Sequence, residues 1–185
     1  MKHHLLPLCI LLTVTGSVSA QTSASRESAI KAYIKQTDNL ITTHNPNIKQ
    51  KLAKGTVESQ KTITEYTNAS TRVHSTIGNY SKTITTSANG KQLLKLEYTD
   101  STDQLFNEAY YYQNNQLIAA IEVLRNAETH IIMYRREQYF DKGVAFSTNS
   151  SDGGTQLTDK NKNRMATPLL DKGNRYLNDF LDAAK

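Results

Sequence analysis

The chain has 185 residues, of which 21% are charged, with a formal net charge of +5 and a single cysteine. One cysteine excludes an internal disulfide framework, so the fold must be held by its core, and a chain of this length can bury roughly 70% of its unfolded surface. The basic residues are scattered, with Arg135-Arg136 the sole arginine pair, which excludes the concentrated footprint expected of a nucleic-acid binder.

The first twenty residues read as a secretory leader. Lys2, His3 and His4 give a positive start, Leu5 to Val14 an apolar core, and Val18-Ser19-Ala20 a small-residue cleavage site before Gln21. The apolar stretch is shorter than the about 20 residues a transmembrane helix needs. Cys9 is preceded by Leu8, which is too large for a lipid-attachment site, and it departs with the leader. The expectation is a periplasmic or secreted protein whose mature part is one domain, residues 21–185.

Residues 21–28 are small and polar and are expected to be a flexible lead-in. From Glu27 to about Thr43, Ile30, Tyr33, Ile34, Thr37, Leu40 and Ile41 recur every three or four residues, the stripe of an amphipathic helix. Asn45-Pro46-Asn47 ends it. Residues 48–60 fit neither period cleanly; Ile48, Leu52 and Val57 with Gly55 could mark a short helix.

After Lys61 the period becomes two. Strands are expected at 61–67, 71–77, 80–87, 91–99, 105–113, 116–125, 129–140 and 143–149. Asn89-Gly90 is a type I′ hairpin signal, and Asp100 to Asp103, Asn114-Asn115 and Asp141-Lys142-Gly143 supply further short turns. Such connections leave no room for crossover helices, so the strands must run antiparallel as a meander. Alternation puts Leu94, Leu96 and Tyr98 on one face of their strand, and Phe106, Tyr110 and Tyr112 on one face of the next with Glu108 among them. It sets Leu117, Ala119, Ile121 and Val123 against Ile118, Ala120, Glu122 and Leu124. A strand apolar on both faces belongs at the centre of a sheet covered on both sides. Residues 150–166 read as a polar loop. Pro168 suits the first position of a closing helix capped by Thr167, whose apolar stripe runs from Leu169 through Gly173, Tyr176, Leu177 and Phe180 to Ala184. The fold class is therefore α+β: an antiparallel meander of about six to eight strands packed with an N-terminal and a C-terminal helix.

The segment Tyr110-Tyr111-Tyr112-Gln113-Asn114-Asn115-Gln116-Leu117-Ile118, with its fainter copy Tyr139-Phe140-Asp141-Lys142-Gly143-Val144-Ala145, resembles the hairpins of secreted or periplasmic, largely uncharacterised Bacteroidetes-type proteins. In those, aromatics precede an Asn/Asp-Gly turn and an aliphatic residue follows; here Asn115 replaces the glycine in the first copy. The resemblance covers about a quarter of the chain and implies an exported β-rich domain without implying a reaction.

Ten tyrosines are the unusual component. A row including Tyr110, Tyr112 and Tyr134, with Arg136 and His130 nearby, could bind a protein or glycan, because tyrosine joins rigid contact area to a hydrogen-bonding tip. The alternative role for these aromatics is cross-strand pairing within the sheet. An enzymatic reading would gather His130, Glu128, Glu122 and Arg136 in one cleft for acid–base hydrolysis. A carrier reading would curl the two-sided apolar strands around an apolar ligand. The sequence has no Gly-x-Ser-x-Gly elbow or P-loop, and His44, His74 and His130 lack metal-ligand spacing, so no catalytic residue, metal or cofactor is assigned.

Overall fold

The computed structural model describes residues 22–65, 70–101, 104–153 and 165–183, with the backbone alone at 58–65 and 70–77. The expected leader, residues 1–20, and positions 154–164 of the expected loop lie outside them. Helix α1 (Ser23–Thr42) leads into strands β1 (Ile48–Glu65), β2 (Ser70–Ser87), β3 (Leu93–Ser101), β4 (Leu105–Gln113), β5 (Gln116–Arg125), β6 (Ile132–Asp141) and β7 (Val144–Asp152), and helix α2 (Leu169–Asp182) follows. The strands form one sheet in chain order, each antiparallel to its neighbours. This is the α+β meander flanked by two helices that the change of period implies.

Several boundaries differ from expectation. The lead-in is helical from Ser23, because Thr22 Oγ1 accepts a hydrogen bond from the Ser25 amide (3.3 Å) and caps the first turn. Residues 48–60 are strand: Lys49, Lys51 and Ala53 pair with Thr86, Ile84 and Lys82, and tertiary pairing overrides the weak local preference. The segments expected at 71–77 and 80–87 are one continuous strand. Residues 129–131 belong to the β5–β6 loop, where His130 adopts φ 58° and its amide donates to Asn126 O. Residues 150–152 extend β7. Pro168 precedes α2 as its cap residue, and no side chain caps that end.

Bulges reset the faces. In the β2–β3, β4–β5 and β6–β7 pairs the register slips by one, leaving Leu94, Ile118 and Phe146 as the extra residues just after the hairpin turns. Each slip exchanges faces. Leu93 rather than Leu94 therefore packs with Leu96, and Leu117 joins Ala120 instead of Ala119. The turns follow the same logic: Asn114 and Asn115 both take positive φ (52° and 55°), as do Lys142 and Gly143 (50° and 79°). Both are I′-like, and Asn115 fills the glycine position because asparagine tolerates left-handed backbone. At Asn89-Gly90 only the glycine has positive φ (72°), in a longer turn closed by the Ser87 amide on Gln92 O.

The two helices cover opposite faces. Ile30 and Ile34 of α1 pack on Tyr111, Ala119 and Tyr139. Leu169 and Leu177 of α2 pack on Leu93, Leu96, Tyr110, Tyr112, Leu117, Ala120 and Phe140. Gly173 allows that closeness, since a Cβ there would meet Leu117 Cδ2 at 2.5 Å and Tyr110 Cδ1 at 3.0 Å. Tyr112 ties the layers together: Tyr33 Oη donates to its carbonyl (2.7 Å) and its own hydroxyl donates to Gly173 O (2.9 Å).

Candidate functional site

Tyr110 and Tyr112 do not form an exposed platform: both are 0% exposed, sealed between β4 and α2. The alternation that aligned them is real, but it aligned them toward the core. Tyr134 is half-buried beside Phe106, Leu124 and Met133. Glu128 and His130 lie on the exposed β5–β6 loop, so they share a turn rather than a strand face. The Asn126 side chain organises that loop by accepting from the Glu128 and Thr129 amides. Glu122 and Arg136 are the only members of the expected hydrolytic set that meet.

They meet within a row the register builds across the sheet. Lys82, Tyr98, Glu108, Glu122, Arg136 and Ser150 are successive cross-strand partners from β2 to β7. Lys172 descends from α2 onto the middle of the row, with Nζ 2.6 Å from Glu108 Oε1 and 3.5 Å from Glu122 Oε1. Arg136 Nη2 approaches Glu122 Oε2 to 2.8 Å, but off the N–H axis, so the contact is an ion pair without a well-directed hydrogen bond. Two carboxylates face two cations, which keeps this buried patch neutral. Burial nevertheless raises the Glu122 pKa; Arg136 and Lys172 oppose the shift and Glu108 adds to it. Tyr110 is pushed well above the usual phenol range, by burial first and then by the Glu108, Tyr176 and Glu122 charges. Glu108, Glu122 and Lys172 are all buried. The centre of the row is a latch beneath a helix.

Sequence reasoning passed over Glu108 and Lys172. The signal for Lys172 was present: it lies three residues after Leu169 and four to five before Tyr176 and Leu177, a charge inside an apolar stripe. Among the described residues, no group of three His, Cys, Asp or Glu side chains is arranged to hold a metal ion.

An open groove lies at the other end of the same face. α2 covers the centre of the sheet and leaves β1 and the start of the β2–β3 hairpin uncovered beside it. The resulting groove, of about 580 Å³, runs between Tyr176 and Phe180 of α2 and Lys49, Lys51, Lys82, Ile84 and Thr86 of the sheet. Strand period two places all five sheet residues on this face, since Lys49 pairs with Thr86, Lys51 with Ile84, and Ala53 with Lys82. Ile84, Tyr176 and Phe180 are half-buried and form the floor; Lys49 and Lys51 are exposed along the outer wall. Lys82 Nζ lies 4.7 Å from the centre of the Tyr176 ring, a cation–π contact at the mouth. Tyr176 is braced edge-on by Tyr110 (5.3 Å between centroids), so the wall stands on the buried core. The sequence could not reveal this groove, because its outer wall is the segment that fitted neither period.

Comparison with family models, with curated proteins and with solved structures yields no match, so the site is read from its own chemistry.

Proposed function

We propose that the protein is an exported, non-catalytic binding domain whose ligand lies in the groove between α2 and strands β1–β2. The observation that carries this reading is the groove itself: about 580 Å³ with an apolar floor of Ile84, Tyr176 and Phe180, within the span of about 300–1,000 Å³ typical of small-molecule sites. It favours the carrier form of binding over a flat tyrosine platform, since Tyr110 and Tyr112 are buried. The two carboxylates of the charged row are paired in charge with Lys172 and Arg136 beneath the helix, which favours the open groove as the ligand site. Among the described residues no helix is long and apolar enough to cross a membrane.

Two measurements test the proposal. An uncharged, environment-sensitive apolar dye should brighten on binding the protein, and Thr86→Trp, which fills the groove, should abolish the signal while the thermal midpoint stays unchanged. Undiminished dye binding by that variant would place the ligand elsewhere. Export is tested separately: the protein recovered outside the cytoplasm should begin at Gln21, and recovery of the intact chain from the cytoplasm alone would overturn it.

A further inference from the structure

We infer that the groove is built for a single-chain amphiphile bearing an anionic headgroup, an inference that rests on the groove being a ligand site. The argument is charge complementarity. Lys31, Lys95 and Lys172 each hold a carboxylate at 2.6–2.8 Å. Lys49, Lys51 and Lys82 hold none among the described residues, although all three project onto the same face of the groove. Among the described residues one acid, Asp179, lines the site, and it stands on the α2 wall. The cations therefore concentrate along β1 and β2 and the single anion opposes them, so an anionic headgroup is drawn to the strand side and kept off the helix side.

The floor sets the rest of the molecule. Ile84 and Phe180 offer no hydrogen-bonding atoms in their side chains, Tyr176 adds a ring face with a hydroxyl at its tip, and Thr86 and the backbone near Gly90 are polar groups at the turn end. A chain of methylenes suits such a trough, each buried methylene contributing about fourfold in affinity. A sugar would set several of its hydroxyls against the Ile84 and Phe180 side chains, where they find no partner. An exposed, water-facing lysine pair flexible enough to adjust suits a headgroup that stays at the mouth while the chain lies inside.

The test titrates the purified protein with sodium dodecanoate and with dodecyl maltoside, both below their micellar concentrations, by calorimetry. Dodecanoate is expected to bind at least about tenfold more tightly, the worth of one hydrogen bond to a charged group. Added salt should weaken dodecanoate alone. The Lys49→Gln/Lys51→Gln double variant, at exposed edge positions, should lose the preference for dodecanoate over the maltoside; Lys82→Gln serves as an independent second variant. Decanoate should bind more weakly than dodecanoate. Equal binding of the two dodecyl compounds would overturn the anionic headgroup and leave the groove reading standing. Binding of dodecanoate and acetate with equal affinity would overturn the chain. No binding of either dodecyl compound would overturn this inference, while the uncharged dye and Thr86→Trp still judge the groove separately.

Discussion

The two faces of this sheet handle their charged side chains in opposite ways. On the α2 face the charges are inside: Glu108, Glu122 and Lys172 are buried in contact beneath the helix. On the α1 face they sit at the rim. Lys95 is itself buried, but its partners Asp38 and Glu97 (2.8 Å each) are near 40% exposed, and Arg135 pairs with Glu137. The helices match their faces. α2 buries Leu169, Lys172, Gly173 and Leu177, whereas α1 fully buries only Thr37 and rests on half-buried Ile30 and Ile34 with the Tyr33 and Asp38 hydrogen bonds. A helix seated through its core must satisfy whatever charge it covers; a helix seated through its rim leaves water to do so. The difference implies that the same kind of substitution has unlike consequences on the two sides.

The largest contrast is expected at the lysines. Lys172→Ala strips Glu108 and Glu122 of a buried cation and should cost about 3–5 kcal/mol, the range for breaking one partner out of a buried pair. Lys95→Ala should cost less, because its partners Asp38 and Glu97 are each near 40% exposed and regain water. Denaturant midpoints of the two variants check the ranking. Replacing Lys172 and Glu108 together by Met and Leu, which leaves Glu122 paired with Arg136, should restore most of the lost stability. If Lys95→Ala proves the more damaging variant, the inside–rim distinction fails.

How far these features were visible beforehand follows from the periods involved. The meander was legible because alternation between Lys61 and Asn149 and four short turns leave antiparallel pairing as the simplest arrangement. The faces were legible only between bulges. Nothing in Leu93-Leu94 or Leu117-Ile118 says which of two adjacent aliphatics will be extra, and each bulge inverts the strand beyond it. Tyr110 and Tyr112 were correctly placed on one side, but which side receives a helix depends on how far α2 reaches. Glu122 and Arg136 were singled out as chemistry-bearing, while their partners Glu108 and Lys172 come from a register and a helix docking that no single segment encodes. The groove was invisible for the same reason: Lys49 and Lys51 matter only once β1 is a strand beside α2.

A smaller and sharper contrast lies in pH. Burial raises Glu122 above the usual carboxylate value of 4.5, against the pull of Arg136 and Lys172 and with the help of Glu108. The folded state thus holds that proton more tightly than the unfolded chain, and the contribution of Glu122 to stability is lost as pH rises from 4.5 through the folded value. Glu137 has the opposite sign. Burial alone would raise it, but hydrogen bonds from Tyr139 (2.7 Å) and Arg135, with the charges of Arg135 and Lys31, lower it below 4.5. Its contribution is present above 4.5 and is lost as pH falls through the folded value. Glu122→Gln should therefore flatten the stability profile above 4.5, and Glu137→Gln should flatten it below. Midpoints measured at intervals from pH 3 to 8 distinguish them; shifts of the same sign in both variants would remove the distinction between the faces.

The smallest effect should come from the α1 rim. Arg26 reaches Asp141 at 2.7 Å from the first turn of α1 to the β6–β7 hairpin, with both side chains about 40% exposed. It bridges helix and sheet end, and by distance alone it looks important. Its partners remain in water, however, so Arg26→Ala should cost about 0–1 kcal/mol and the cost should shrink further with added salt. Tyr33→Phe, which removes a hydrogen bond to the Tyr112 carbonyl within the packed interface, should cost as much or more despite losing no charge. A thermal-melting series at low and high salt separates the two. If Arg26→Ala exceeds Tyr33→Phe at high salt, α1 is held by its rim charges after all, and the seating of the two helices differs less than their buried residues indicate.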